Sequence, residues 1–188
     1  LKAGVALTGL AADAFGLSQP TTTTETAHQD DPNDPSTSSI KKSFSLSHAA
    51  RATISTNLPA NDIDLYILYD GNHDGTFDLS EIVGASAGGT GVESVTLVHP
   101  LDGDYQAWVH GFAVAGTPTF PLTIDPLMGN DMTVTGVPVG PVPAGTAVTL
   151  HVAFSKPMTS GQDYFGELQL GPVTAPNALS VPIVIHRS

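Results

Sequence analysis

Apolar and polar residues alternate with a period of two through most of this chain, in short runs bounded by Gly, Pro, Asn and Asp. That is the pattern of strands with one face in a core and the other in water. It predicts strands at 5–8, 42–47, 52–56, 63–69, 93–98, 105–110, 119–124, 132–137, 147–154, 164–170 and 179–185. The clearest places Val148, Leu150, Val152 and Phe154 on one face and Thr149, His151 and Ala153 on the other. Only residues 9–17 carry a helical rhythm, interrupted by Gly16. Many short strands at fairly even spacing predict an all-β chain of two antiparallel β-sandwiches.

The alternation breaks at 123–131, where Pro126 and Gly129 interrupt it. The expected division is therefore an N-terminal strand segment at 1–17, a polar acidic linker at 18–35, a sandwich at 36–125 and a smaller sandwich at 130–188. The smaller one has too few strands for a complete immunoglobulin-like sandwich, which uses about seven. Its missing strand is expected from residues 1–17 or from another molecule. The linker, rich in Thr, Ser, Asp and Pro, has the composition of an unanchored connection.

Composition narrows the function. The 188 residues carry 18 acids against 6 Lys+Arg, a formal net charge of −12, and no Cys. Nucleic acid and anionic membrane surfaces, which need clustered cations, are unfavourable partners. Disulfides, thiolate metal sites and Cys nucleophiles are excluded together. No apolar run reaches the length of a transmembrane helix. Low Lys, abundant Thr, Ser and Gly, and a first residue other than Met fit a processed, secreted bacterial protein at the cell surface or outside the cell. From Ala52 to Ser155 there is no Lys or Arg, yet Asp62, Asp64, Asp70, Asp74, Asp78, Glu81, Glu93, Asp102, Asp104, Asp125 and Asp131 all fall there. A divalent cation is the expected counter-charge.

One motif fits that role. Asp70-Gly71-Asn72-His73-Asp74-Gly75-Thr76-Phe77-Asp78-Leu79-Ser80-Glu81 has the spacing of a twelve-residue calcium loop. Asp70, Asn72 and Asp74 stand at the first, third and fifth places, Gly75 at the sharp turn, Thr76 offers its carbonyl, Asp78 a direct or water-bridged oxygen, and Glu81 a bidentate carboxylate. An acidic hairpin turn would share the Asp-Gly elements but does not require Glu81. Residues 63–69 alternate as a strand where an EF-hand has its entering helix, so a structural Ca2+ loop between strands is expected rather than a sensor.

A second acidic group comprises Asp30, Asp31, Asn33 and Asp34 in the linker and Asp62 and Asp64 on one face of a predicted strand. Asp62 and Asp64 read either as a solvated sheet face or as ligands sharing calcium with the linker. Together with Lys41-Lys42-Ser43-Phe44-Ser45-Leu46-Ser47, the stretches Asp62-Ile63-Asp64-Leu65-Tyr66 and Gly103–Gly111 resemble the bacterial pre-peptidase C-terminal domain. The resemblance covers roughly half the chain. It implies a jelly-roll-like sandwich appended to a secreted protease, notably of the subtilisin type, and in collagenase relatives calcium held between an acidic linker and the sheet. The calcium loop at Asp70 is an insertion relative to that family. By pattern, the C-terminal part resembles the immunoglobulin- or fibronectin-like modules that follow such domains.

Catalytic signatures are missing: no His-Glu-x-x-His, no phosphate-binding Gly-rich loop and no Ser, His or Asp segment of a subtilisin-like triad. His99, His110 and His151, in or beside strands, are expected to face solvent. Tyr66, Tyr69, Tyr105, Trp108 and Phe112 are either core or an aromatic platform for peptide or sugar. The expected function is a non-catalytic, calcium-binding accessory region that contacts neighbouring modules, extracellular protein or polysaccharide. The alternatives are a filament or adhesin subunit assembled with identical subunits by strand donation, and a carbohydrate- or collagen-binding module.

Overall fold

The computed structural model describes residues 1–188. It is all-β, with 54% of residues in strands and 3% in helix, which leaves no helical layer. The strands are β1 (Leu10–Ser18), β2 (Thr21–Thr26), β3 (Ile40–Leu46), β4 (Ala49–Thr56), β5 (Asp62–Tyr69), β6 (Ile82–Ser86) and β7 (Ser94–Val98). They continue with β8 (Gly103–Ala113), β9 (Thr119–Met128), β10 (Met132–Thr135), β11 (His151–Phe154), β12 (Asp163–Pro172) and β13 (Leu179–His186). Two compact units form: Leu1–Gln19 with Leu127–Ser188, and Pro20–Pro126.

The first unit holds a three-stranded sheet, β1-β12-β13, and a two-stranded sheet, β10-β11. Its N-terminal segment is bonded within the same chain along its length. Leu1 exchanges hydrogen bonds with Val148, Leu7 with Val142, and β1 runs antiparallel to β12 from Leu10↔Pro172 to Gly16↔Gly166. Leu17 and Ala14 enter a core with Met132, Tyr164, Leu168 and Leu170. Ala3 and Leu10 enter a second core with Val142 and Val148. Two expectations are corrected here. Residues 9–17, with the helical rhythm, form a strand because β12 supplies the backbone partners and the core overrides a weak local propensity. Residues 5–8 make only the isolated bridge at Leu7, since their apolar side chains are largely exposed. The strand expected over 147–154 is regular only at His151–Phe154. Val148 is buried, whereas Val152 and Phe154 remain 39% and 52% exposed.

The second unit has two four-stranded sheets, β2-β9-β4-β7 and β3-β8-β5-β6. Ala52, Ile54 and Thr56 of β4, Phe120 and Leu122 of β9, Ile63, Leu65 and Ile67 of β5, and Ala107 and Val109 of β8 are buried at alternate positions, as half-buried strands require. The linker expectation is also corrected. Thr21–Thr26 pairs with β9 from Thr21↔Ile124 to Thr26↔Thr119, and the Thr22 and Thr123 hydroxyls lie 2.9 Å apart. β-branched threonine suits a pleated surface, so a polar run here is an edge strand.

Residues 27–39 then form a strap along the end of β8. The Asp30 amide donates to the Gly111 carbonyl at 2.9 Å, and the Gly111 amide donates to Asp30 Oδ2 at 2.8 Å. Gln29 Nε2 donates to the carbonyls of Gly111 and Phe112, both at 2.9 Å, while its Oε1 accepts from the Val114 amide at 2.8 Å. This explains why His110, which alternates with the core-facing Val109, is itself only 1% exposed; Trp108, 2% exposed, lies under Lys41 Nζ at 3.9 Å and donates to Gln106 Oε1 at 2.7 Å. Gly111 permits the contact: a Cβ there would overlap the His28 carbonyl oxygen. Gly111→Ala should therefore lower the stability of this unit by about 1–3 kcal/mol, the usual cost of forcing atoms into filled space. Chemical denaturation checks the loss, and limited proteolysis should cut first within 27–39.

Candidate functional site

The β5–β6 connection is the loop with calcium spacing. Asp70, 5% exposed, accepts the Asp74 amide on Oδ1 at 3.2 Å and the Gly75 amide on Oδ2 at 3.1 Å, curling the chain around its carboxylate. Asn72 Oδ1 accepts the Asp74 amide at 2.9 Å. Asp74 Oδ1 accepts the Thr76 amide at 2.8 Å and its hydroxyl at 2.6 Å. Asp78 caps a short 3-10 turn, Leu79–Glu81, in a reciprocal capping box with Glu81. The turn at Gly75 has φ +75°, a left-handed conformation that favours glycine and that the sixth loop position requires.

These hydrogen bonds set the electrostatics. Thr76 holds the Asp74 carboxyl, and Ser80 the Asp78 carboxyl, below the ordinary carboxylate range, so both carry full charge at neutral pH. Glu81 Oε2 accepts the Asp78 amide at 3.3 Å, but Glu81 Oε1 is buried with no hydrogen-bond partner. A buried carboxylate oxygen without a donor is costly and fits a cation ligand. As the loop stands, its carboxylates turn onto backbone amides, and no three His, Asp or Glu side chains converge tightly enough to cage an ion. Like charges repel, so close convergence of these acids needs the cation itself.

Of the second acidic group, the structure gathers part. Asp30 Oδ2 accepts the Gly111 amide and the Ser39 amide (3.2 Å) and lies 3.7 Å from His110 Nδ1. Asp64 lies directly opposite His110 in the β5–β8 register, is 6% exposed, and accepts the Tyr66 hydroxyl at 3.3 Å. Burial pushes the Asp64 carboxyl above its ordinary range, and the Tyr66 hydroxyl only partly offsets this. Asp62 Oδ1 is buried with no partner. Asp34 instead caps the Pro35–Thr37 turn, and Asp31 Oδ1 accepts the exposed Asn33 amide at 3.0 Å. Asp31 and Asn33 are thus engaged in a local turn at the surface.

Two residues escaped sequence reasoning. His110, expected to face solvent, is buried because the strap covers the face that alternation assigned to water. Glu93, 4% exposed, accepts the Ser86 hydroxyl and the Gly88 amide, fixing the end of β6. Gly111 beside His110 was the available signal for a close backbone approach. His99 and His151 are exposed, as expected. Of Tyr66, Tyr69, Tyr105, Trp108 and Phe112, Tyr105 and Trp108 are buried and only Phe112, at 44%, is well exposed.

Beside the calcium-type loop, Phe44, Tyr105 and Tyr69 stack with centroids 5.5 and 4.9 Å apart, and a cleft of about 310 Å³ opens between Phe44, Phe77, Asp70 and Asp104. No protein-family model matches this chain, and no curated protein matches its sequence.

Burial raises the Tyr105 hydroxyl to about 12, and it donates to the Leu101 carbonyl at 2.7 Å. A folded-state value above the unfolded one means that stability is intact below about pH 10 and falls as pH rises toward 12. Tyr105→Phe should flatten that alkaline loss, and ultraviolet titration of phenolate alongside denaturation at each pH checks it.

Proposed function

We infer that this chain is a non-catalytic, calcium-binding accessory region of a secreted bacterial protein of the subtilisin-like protease type. Its role is to rigidify the polypeptide outside the cell and to attach it to substrate or surface. The observation that carries the calcium reading is the Asp70–Glu81 loop. All six side-chain and main-chain positions of a calcium loop are filled, the left-handed turn falls on Gly75, and the twelfth-position carboxylate keeps a buried oxygen without a donor. Asp70, Asn72, Asp74, Thr76, Asp78 and Glu81 are the ligands. Calcium suits them because it takes six to eight oxygens in flexible geometry. The protease context rests on the resemblance of the β3, β5 and β8 segments to the pre-peptidase C-terminal domain. The cleft beside the loop is the place for an attached peptide or saccharide.

Calcium that binds only the folded state stabilises by mass action, about 2.7 kcal/mol at a hundredfold excess over its dissociation constant. The second unit should therefore melt several degrees higher in calcium than in chelator. Asp70→Asn and Glu81→Gln should each abolish most of that difference, and Glu81→Gln should do so while leaving the chelator melting point nearly unchanged. Equal midpoints with and without calcium would remove the reading.

One observation favours a second reading, assembly of identical copies by exchange of the N-terminal strand. The backbone ladder of β1 and the bridges of Lys2 and Leu7 run to segments more than a hundred positions away, and just Gln19 and Pro20 separate β1 from β2. Such a segment can seat equally in a second copy. Copies exchanging it should elute as dimers or longer assemblies after concentration or refolding. A strictly monomeric profile at all concentrations excludes this.

A further inference from the structure

Two clefts of the second unit meet at Tyr105. Phe44, Tyr105 and Tyr69 stand opposite one another in the β3–β8–β5 register, and Tyr105 lines both the cleft beside the calcium-type loop and a larger one of about 440 Å³. The larger cleft is mostly apolar, with Val83, Leu97, Val98 and Leu101 in its walls beside Tyr69. It lies between β6 and β7, the last strands of their sheets, so each presents an unpaired main-chain edge beside it. Ser86 Oγ accepts the Ser94 amide at 3.4 Å and ties the two strands at one end. Towards the other end Val83, Val98 and Leu101 are 48%, 70% and 66% exposed. An extended peptide can pair such an edge while its side chains enter the cleft.

Charge selects the peptide. Pro20–Pro126 carries 14 of the 18 acids and 3 of the 6 Lys and Arg, so its field draws cations. Neither cleft has Lys or Arg in its lining. The two nearest along β3 are engaged elsewhere. Lys42 Nζ lies 3.4 Å from Glu25 Oε1, and Lys41 Nζ donates to the Ser36 carbonyl at 3.0 Å and sits over the Trp108 ring. In the smaller cleft Asp70 has both oxygens on loop amides, so Asp104 is the carboxylate left for a ligand. Asp104 is exposed and accepts the Ser45 hydroxyl on Oδ1 at 2.6 Å, which steadies it and leaves Oδ2 for a cation. A saccharide would press its hydroxyls against the aliphatic walls of the larger cleft, which is unfavourable. We propose that the two clefts are neighbouring side-chain subsites for an extended peptide of mixed basic and apolar sequence. An aliphatic side chain enters at Val98 and Leu101, and a nearby Lys or Arg reaches Asp104 beside Phe77. The proposal rests on reading the loop-side cleft as an attachment site, but not on calcium.

The test is fluorescence anisotropy of a short labelled peptide of alternating Lys and Leu, titrated with the whole chain at neutral pH. Salt is held at about 0.15 M, where distant surface charges are screened. The expected result is saturable binding, weakened about tenfold or more by Asp104→Asn and by Leu101→Ser. Both residues are exposed, so the variants fold. Replacing Lys by Glu or Leu by Ser in the peptide should weaken binding as much. Asp163→Asn and Val184→Ser, at an exposed acid and an exposed apolar residue of the first unit, should leave it unchanged. No saturable binding, an equal loss in these two controls, tight binding of the Glu and Leu peptide, or displacement by neutral dextran would each overturn the proposal. Each titration is run in calcium and in chelator beside a measurement of calcium uptake. Calcium uptake without peptide binding removes this proposal alone, and peptide binding without calcium uptake removes only the calcium reading.

Discussion

A carboxylate taken out of water needs hydrogen-bond donors or a positive charge, and between Arg51 and Lys156 no side chain supplies a permanent one. The buried acids of that span therefore draw on nearby neutral donors, and the local structure of the second unit follows from how. Asp70 is met by the amides of its own loop, and Glu93 by the Ser86 hydroxyl and the Gly88 amide. Asp64 has a tyrosine hydroxyl and is still driven toward its neutral form by burial. Glu81 Oε1 and Asp62 Oδ1 have no donor at all. Neutral donors run out in the β5–β6 loop, at Glu81 Oε1, and at the start of β5, at Asp62 Oδ1.

The same shortage links sequence to motion. The loop's Asx-type hydrogen bonds hold its curl, but they leave its carboxylates charged and facing one another's repulsion. The strap is held differently. Asp30 and Gln29 bond the main chain of 111–114, so a polar segment lies along the sheet face and covers His110. Calcium in the loop would then stiffen the end of β5 that runs into it, while the strap fixes the end of β8.

Legibility in the sequence followed what could pay its cost locally. Period-two alternation was enough for the all-β architecture, and the loop residues stood out because calcium spacing is a local pattern. What escaped was set by distant partners. Residues 9–17 look helical alone and become β1 because β12, some hundred and fifty positions on, offers a ladder. The Thr21–Thr26 run reads as linker because β-branched polar residues on an edge strand carry no apolar signal. His110 reads as solvent-facing because alternation knows only two sides of a sheet, not a strap laid over one. Val152 and Phe154 show the opposite error: their apolar face has the right phase but is incompletely covered.

The central claim is that oxygen ligands of the Asp70–Glu81 loop take up calcium to balance charge that the chain cannot balance itself. Equilibrium dialysis of labelled calcium against the full chain at neutral pH tests it most directly. The account predicts saturable binding that disappears when Asp70 and Glu81 are both replaced by their amides and persists when His110 is replaced by Gln. No saturable calcium binding, or binding unaffected by the Asp70 and Glu81 replacements, would contradict it.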